Sequence, residues 1–211
     1  MPDMPSLAVF MLGAILLNLT PGPDMLYVLA RSAGQGRRAG VVSALGIGIG
    51  TLVHTLAAAV GLSALLLSSA LAYDIIKDLG AMYLIYLGIR MIASQGHYAL
   101  VMPGNGNSTS LANILRQAVI TNVLNPKVAL FFLAFMPQFV DPTKGAVAWQ
   151  FALLGLMFDT SGTLVNITVA QLAGYINTWM TQRPGFSRAQ RWLTGSVLIA
   201  LGARLALGTR R

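Results

Sequence analysis

Cysteine is absent, and so is glutamate; the six acidic residues are all aspartate. Without cysteine there is no disulfide framework and no thiolate metal site. The two histidines, His54 and His97, are too few for a His/Cys metal cluster. Charge is scarce as well. Asp, Glu, Lys and Arg make up 9% of the 211 residues, where soluble domains carry about 25%. That deficit excludes an ordinary soluble enzyme. No Ser/His/Asp or Cys/His constellation suited to nucleophilic catalysis is visible. The glycines of Gly40, Gly46, Gly48 and Gly50 follow no strand and precede no Gly-Lys-Ser/Thr, so they are no phosphate fingerprint. No cofactor is expected.

What the chain has is apolar length. It is 55% hydrophobic, with a mean hydropathy of +0.69. A spanning helix needs roughly 20 mainly apolar residues. Six segments qualify, at about 6–30, 40–68, 72–94, 114–139, 148–175 and 189–208. Met1-Pro2-Asp3 lacks the positive leader of a cleavable signal peptide, so the first run is expected to remain as a helix. The polar stretch around Pro103-Gly104-Asn105-Gly106-Asn107 divides the chain. Repeat one is expected over 1–94, a linker over 95–112 and repeat two over 113–211, together one transmembrane domain.

The net charge of +8 could suggest nucleic acid. In a membrane chain it is better explained by basic cytoplasmic loops. Arg31, Arg37, Arg38, Arg90, Arg116, Arg183, Arg188 and Arg191 flank loops one, three and five, eight of the fourteen basic residues. Loops two and four offer Lys77 and Lys144, offset by Asp74, Asp78 and Asp141. The bias puts the odd loops in the cytoplasm and the N-terminus outside. Arg204, Arg210 and Arg211 run against that assignment.

Proline interrupts two of the six segments, in Thr20-Pro21-Gly22-Pro23-Asp24 and in Asn122-Val123-Leu124-Asn125-Pro126-Lys127. Proline lacks a backbone donor and clashes with the preceding turn. In hydrocarbon such a break is tolerated only against protein or a wet cavity. Pro21 lies ten residues before Arg31, and Pro126 ten residues after Arg116. At 1.5 Å per residue each break is roughly 15 Å from the cytoplasmic edge, near mid-membrane. Three helices per half is an odd number, so halves of like fold must insert in opposite senses. Paired breaks in two such halves point to a transporter binding site. Proline kinks that only shape packing are the plain alternative.

Pro23 and Pro126 suit first helical positions, with Thr20, Gly22 and Asn125 as candidate caps. Each restart would aim N–H groups and a positive dipole end at the midplane, where a carboxylate binds. Asp24 is placed to hold an ammonium or a proton, or simply to cap the helix. Lys127 sits where the dipole disfavours a cation, so an anion should compensate: Asp24, Asp159 or a substrate carboxylate. Asp159 lies at a similar depth. Burial penalises its charge and a nearby Lys favours it, which suits proton coupling; a fixed counter-ion for Lys127 is the alternative. His54 reads first as a hydrogen-bonded core residue. Asn18, Asn122, Asn166 and Gln171 supply neutral hydrogen bonds to a cavity or between helices. Gly46, Gly50, Gly80, Gly88, Gly195 and Gly202 read as close-packing positions, and such Gly-rich faces also allow a homodimer. Tyr73, Tyr83, Tyr86, Trp149, Trp179 and Trp192 fall near predicted ends, as an aromatic belt does.

The motifs together resemble the lysine exporter (LysE) superfamily, in its homoserine/threonine exporter (RhtB) branch, over nearly the whole chain. The marks are Pro21-Gly22-Pro23-Asp24, the run from Gly46 and Gly50 to Gly61-Leu62-Ser63, and Leu79 to Arg90. Asn122 to Lys127 followed by Phe131-Phe132 and Phe135-Met136-Pro137-Gln138-Phe139, and Gly195 to Gly202, complete them. The resemblance implies an inner-membrane exporter of amino acids or their derivatives, driven by the proton gradient. Its functional positions carry over to Pro21, Gly22, Pro23, Asn125, Pro126 and Lys127, and less securely to Asp24.

The expectation is an all-α membrane protein of two inverted three-helix repeats, with the first and fourth helices broken at a shared site. A zwitterionic amino acid would place its carboxylate on Gly22, Asn125 and Lys127. Its ammonium would meet Asp24 or Asp159, in exchange for a proton. The scarcity of charge favours a neutral or hydrophobic substrate. The rival readings are a metal or inorganic ion exporter on the same scaffold, a membrane enzyme or lipid-handling protein, and a structural membrane subunit.

Overall fold

The computed structural model describes residues 4–68, 70–93 and 109–182, and in the last segment 192, 195–200, 202–203 and 206–207. The turn-rich stretch 103–107, His97, and Arg183, Arg188, Arg191, Arg204, Arg210 and Arg211 lie outside the described residues, as do the side chains of Tyr73 and Trp179. Among the described residues every regular element is helical.

Both proline breaks are present. Helix α1 (Met4–Leu19) ends just before Pro21, and α2 (Pro23–Gln35) restarts at Pro23 with a bend of 46°. Helix α6 (Leu111–Val123) ends before Asn125, and the chain restarts at Pro126 with a bend of 43°. Pro23 and Pro126 each take the first helical position, where the missing N–H is harmless. Helix α3 (Arg37–Ala57) passes through a π-helical turn, Ala58–Leu62, into α4 (Ser63–Ser68). Next comes α5 (Ala70–Ala93), and α8 (Val147–Gln182) follows the second broken helix.

The second broken helix is less regular than its sequence suggests. After the short α7 (Pro126–Leu130) come a π-helical turn, Phe131–Phe135, and a 3₁₀ turn, Met136–Phe139. Pro137 explains this: it cannot donate to Leu133, and its ring crowds that carbonyl. The Gln138 side chain donates to the neighbouring Ala134 carbonyl at 3.1 Å.

Among the described residues two helices, Arg37–Leu66 and Val147–Tyr175, are long and apolar enough to cross a membrane, and each bent pair adds one more if it counts as a single span. Helix α5 has the length, but Asp74, Lys77, Asp78 and Arg90 leave more than two charges in every window of that size. Apolar side chains face outward along α3, where Leu45, Ile49, Leu52, Val53 and Leu56 are exposed. Trp149, Trp192 and Tyr86 are exposed as well.

Inside, two apolar clusters are separated by a polar layer. One cluster takes Leu17 from α1, Ala58 beyond α3, Val128 from α7 and Phe158 from α8, around the rings of Phe10, Phe131, Phe135 and Phe139. The other takes Val28 from α2, Ile47 from α3, Ala118 from α6 and Val169 from α8. Each broken helix, and each of α3 and α8, carries polar residues between the clusters. They are Asn18, Thr20 and Asp24; Thr51 and His54; Asn122, Asn125 and Lys127; and Asp159, Thr163 and Asn166.

Glycine lets the helices meet closely. A Cβ on Gly46 would lie 2.6 Å from the Ala118 Cβ and 2.7 Å from the Leu115 carbonyl oxygen; one on Gly50 would lie 2.7 Å from the Asn122 Cβ. Gly88 faces the Gly195 carbonyl, and Gly202 faces that of Ala81, so the last segment runs antiparallel to α5. These glycine contacts are made within the chain.

These contacts generate a comparison. Gly46→Val overpacks a backbone contact and should cost about 1–3 kcal/mol. Gly61→Val, where a Cβ meets nothing within 4 Å, should be near neutral. Thermal unfolding in detergent should rank Gly46→Val clearly below Gly61→Val; equal midpoints would contradict this packing.

Candidate functional site

The two breaks meet, and each satisfies what the other leaves open. The Asp24 carboxylate, in the first turn of α2, accepts through Oδ2 from Asn125 Nδ2 at 2.7 Å and from Asn122 Nδ2 at 3.0 Å. In return, Lys127 Nζ, in the first turn of α7, donates to the carbonyls of Leu17 and Thr20, both at 2.9 Å. Those carbonyls lie at the end of α1, the negative end of its dipole. The expected compensation of Lys127 by an anion is thus supplied by backbone carbonyls. Among the described residues no ion pair joins Lys127 to Asp24 or Asp159 within 4.0 Å.

Asn122 is the hub. It is buried, with 1% of its surface exposed. Its Nδ2 holds Asp24, its Oδ1 accepts from Thr51 Oγ1 at 3.4 Å, and its carbonyl accepts from Asn125 N at 2.8 Å. His54 Nε2 lies 3.1 Å from that same carbonyl. A carbonyl only accepts, so Nε2 carries the proton. His54 therefore joins the break while its ring packs against Phe132, with centroids 5.7 Å apart. Asn125 has two roles, because its Oδ1 also caps α7 by accepting from Lys127 N at 3.0 Å. Thr20 behaves differently from a cap: its hydroxyl donates back to the Leu16 carbonyl at 2.7 Å. That leaves Gly22 as the N-cap of α2, without a side-chain acceptor for the first N–H groups.

Gly22 has a second reason to be glycine. A Cβ there would sit 3.3 Å from Lys127 Nζ, crowding the ammonium against the α2 N-terminus. Pro21 is buried beside it, and Pro23 and Pro126 are exposed. An ammonium has three donors, and two of those on Lys127 are engaged by carbonyls. The remaining donor and the uncapped α2 N-terminus form an anion-favouring corner. Opposite in sign is Asp24 Oδ1, which is buried and has no hydrogen-bond partner among the described residues.

Asp159, Asn18 and Asn166 lie in the same polar layer but make other contacts. Asp159 is half-buried; its Oδ1 accepts from Thr163 Oγ1 at 3.3 Å. It faces α3, where a Cβ on Gly48 would come 3.3 Å from Oδ1. Asn18 ties α1 to α8 by donating to Ser161 Oγ at 3.0 Å and to the Phe158 carbonyl at 3.3 Å. Asn166 is buried on α8, and Gln171 is exposed. Among the described residues no three of His, Cys, Asp and Glu lie close enough to hold a metal ion.

Sequence reasoning overlooked Thr51 and the two carbonyls that hold Lys127. Thr51 had a signal, since it precedes His54 by one helical turn and so shares its face. Carbonyls have none.

The chain matches the LysE type translocator family over residues 15–209. It is 32% identical to the homoserine/homoserine lactone efflux protein of Salmonella typhimurium, over 93% of this chain and 94% of that protein. A membrane protein of Vibrio cholerae is 31% identical over 93% of the chain and 94% of its own length. The leucine efflux protein of an Enterobacter species is 26% identical, with 93% of each chain covered. No solved structure matches.

The double role of Asn125 sets up a test. Asn125→Ala removes a cap, worth about 1 kcal/mol, and a hydrogen bond to a carboxylate, worth about 1.5–3 kcal/mol. Its unfolding midpoint in detergent should fall well below that of Thr121→Ala, which loses only a bond within its own helix. Equal midpoints would show that the breaks are not held together by this residue.

Proposed function

The chain belongs to the LysE type translocator family, and on that premise we propose that it exports neutral or hydrophobic amino acids or their derivatives across the inner membrane, by exchange with protons. It is a transporter and not an enzyme. The relatives named for efflux of leucine and of homoserine or its lactone support the substrate class. The observation that carries the site is Asp24 Oδ1, a buried carboxylate oxygen with no partner among the described residues. Burying a charge without a full set of bonds is costly, so this oxygen is suited to take a donor.

In this reading a substrate ammonium and a proton alternate on Asp24. The substrate carboxylate uses the third Lys127 donor and the α2 N-terminus at Gly22. Asn122, Asn125, Pro21, Pro23 and Pro126 shape the site rather than neutralise charge. Asp159, in the same polar layer, passes that proton between Asp24 and the gradient; His54, Asn18 and Asn166 line the path. Oδ1 is closed off in this conformation, so substrate enters when the two breaks separate. Rocking of two inverted three-helix repeats, 1–94 and 113–211 about the linker 95–112, would open it to each side in turn. The similar bends of the two broken helices support that symmetry. Arg31, at the end of α2, donates to Gln117 Oε1 at 2.6 Å and to Thr109 Oγ1 at 3.3 Å. That contact supports loops one and three sharing one face, which the basic loops assign to the cytoplasm, with the N-terminus outside.

Release of labelled amino acids from proteoliposomes, with and without a pH gradient, tests the proposal. Lys127→Ala and Asp24→Asn should each lower export by about tenfold or more, the equivalent of one charged hydrogen bond. Asp159→Asn should remove the response to the gradient and keep exchange. Unchanged export in both Lys127→Ala and Asp159→Asn sinks the site.

A further inference from the structure

Two π-helical turns occur among the described residues, Ala58–Leu62 after α3 and Phe131–Phe135 after α7. Such turns are rare and concentrate at functional sites. Here both face one cavity of about 400 Å³. Its lining includes Ala58, Gly61 and Leu62 from the first turn, and Ala129 and Phe132 from the other side. The volume falls within the range of about 300–1,000 Å³ found for small-molecule sites. One polar residue, His54, completes the lining.

His54 ties the cavity wall to the breaks. Its Nε2 donates to the Asn122 carbonyl, and Asn122 in turn holds Asp24. Ala129 lies in the turn of α7 that begins with Lys127. The cavity wall is therefore linked through His54 and Asn122 to Asp24, and through Ala129 it includes the short helix that carries the lysine.

Resting on the export reading, we propose that this cavity receives the apolar side chain of the transported amino acid and sets its size preference. The charged end of the substrate is held at the breaks, and its side chain passes His54 to lie between the two π turns. The occupant is an unbranched or branched aliphatic side chain, because every lining residue apart from His54 is apolar. Gly61 is the position that limits length. A Cβ there meets nothing within 4 Å, so a larger residue can be accommodated without disturbing the backbone and would occupy the space itself.

Purified wild type and Gly61→Phe are compared for counterflow of alanine, valine and leucine in liposomes, with Gly61→Ala as a control for the backbone. Wild type and Gly61→Ala should prefer leucine. Gly61→Phe should lose leucine by about tenfold relative to alanine while alanine counterflow persists. A Gly61→Phe protein with the wild-type leucine-to-alanine ratio overturns the subsite and leaves the cavity to a lipid chain or a second copy. Equal loss of all three substrates by a folded Gly61→Phe protein also overturns it. A wild-type protein that moves none of the three overturns the export reading itself, a result distinct from either.

Discussion

A backbone group freed inside hydrocarbon has no water to bond, and leaving it unpaired costs several kcal/mol. Two proline breaks in apolar segments therefore free groups that must be bonded locally. Here each break supplies bonds to the other. The lysine that opens α7 is bound by the carbonyls that close α1. The aspartate that opens α2 is bound by the two asparagines flanking the second break. His54 takes up the Asn122 carbonyl. Every other property of the centre follows from this mutual arrangement, including the burial of a carboxylate and an ammonium near one another without an ion pair.

The arrangement also explains the layering. An aromatic cluster packs on one side of the polar band, and a cluster built on small α3 and α6 residues packs on the other. Close helix approach at Gly46 and Gly50 keeps the α3–α6 contact tight beside Asn122. The irregular helix after Pro126 gives the first cluster a different character. Packed π and 3₁₀ turns present Phe131, Phe135 and Phe139 toward Phe10 from one short stretch.

Much of this was legible in the sequence, and for physical reasons. Proline has one backbone chemistry, so Pro21, Pro23 and Pro126 announced the breaks wherever the chain might fold. Counting residues from Arg31 and Arg116 put them at one depth, and the bonds from Asp24 to Asn122 and Asn125 join them. The partners of Lys127 were not legible, because a carbonyl belongs to every residue and marks none. Thr20 looked like a cap by composition, yet its hydroxyl found the nearer Leu16 carbonyl, as serine and threonine in helices often do. Asp159 was read as a candidate partner for Lys127, but spacing along one helix does not say which neighbour its face meets; it meets α3 at Gly48. The π turns were hidden as well. Pro137 was in plain view, but whether a helix absorbs a proline by kinking or by widening depends on what packs around it.

In the proposed export cycle one oxygen of Asp24 alternates between a substrate ammonium and a proton. Calorimetric titration of the purified protein with leucine, repeated in buffers of different ionisation enthalpy, measures proton release on binding directly. The account predicts a binding heat that changes with the buffer, and an Asp24→Asn protein whose residual heat does not. Leucine binding with the same heat in every buffer would contradict it.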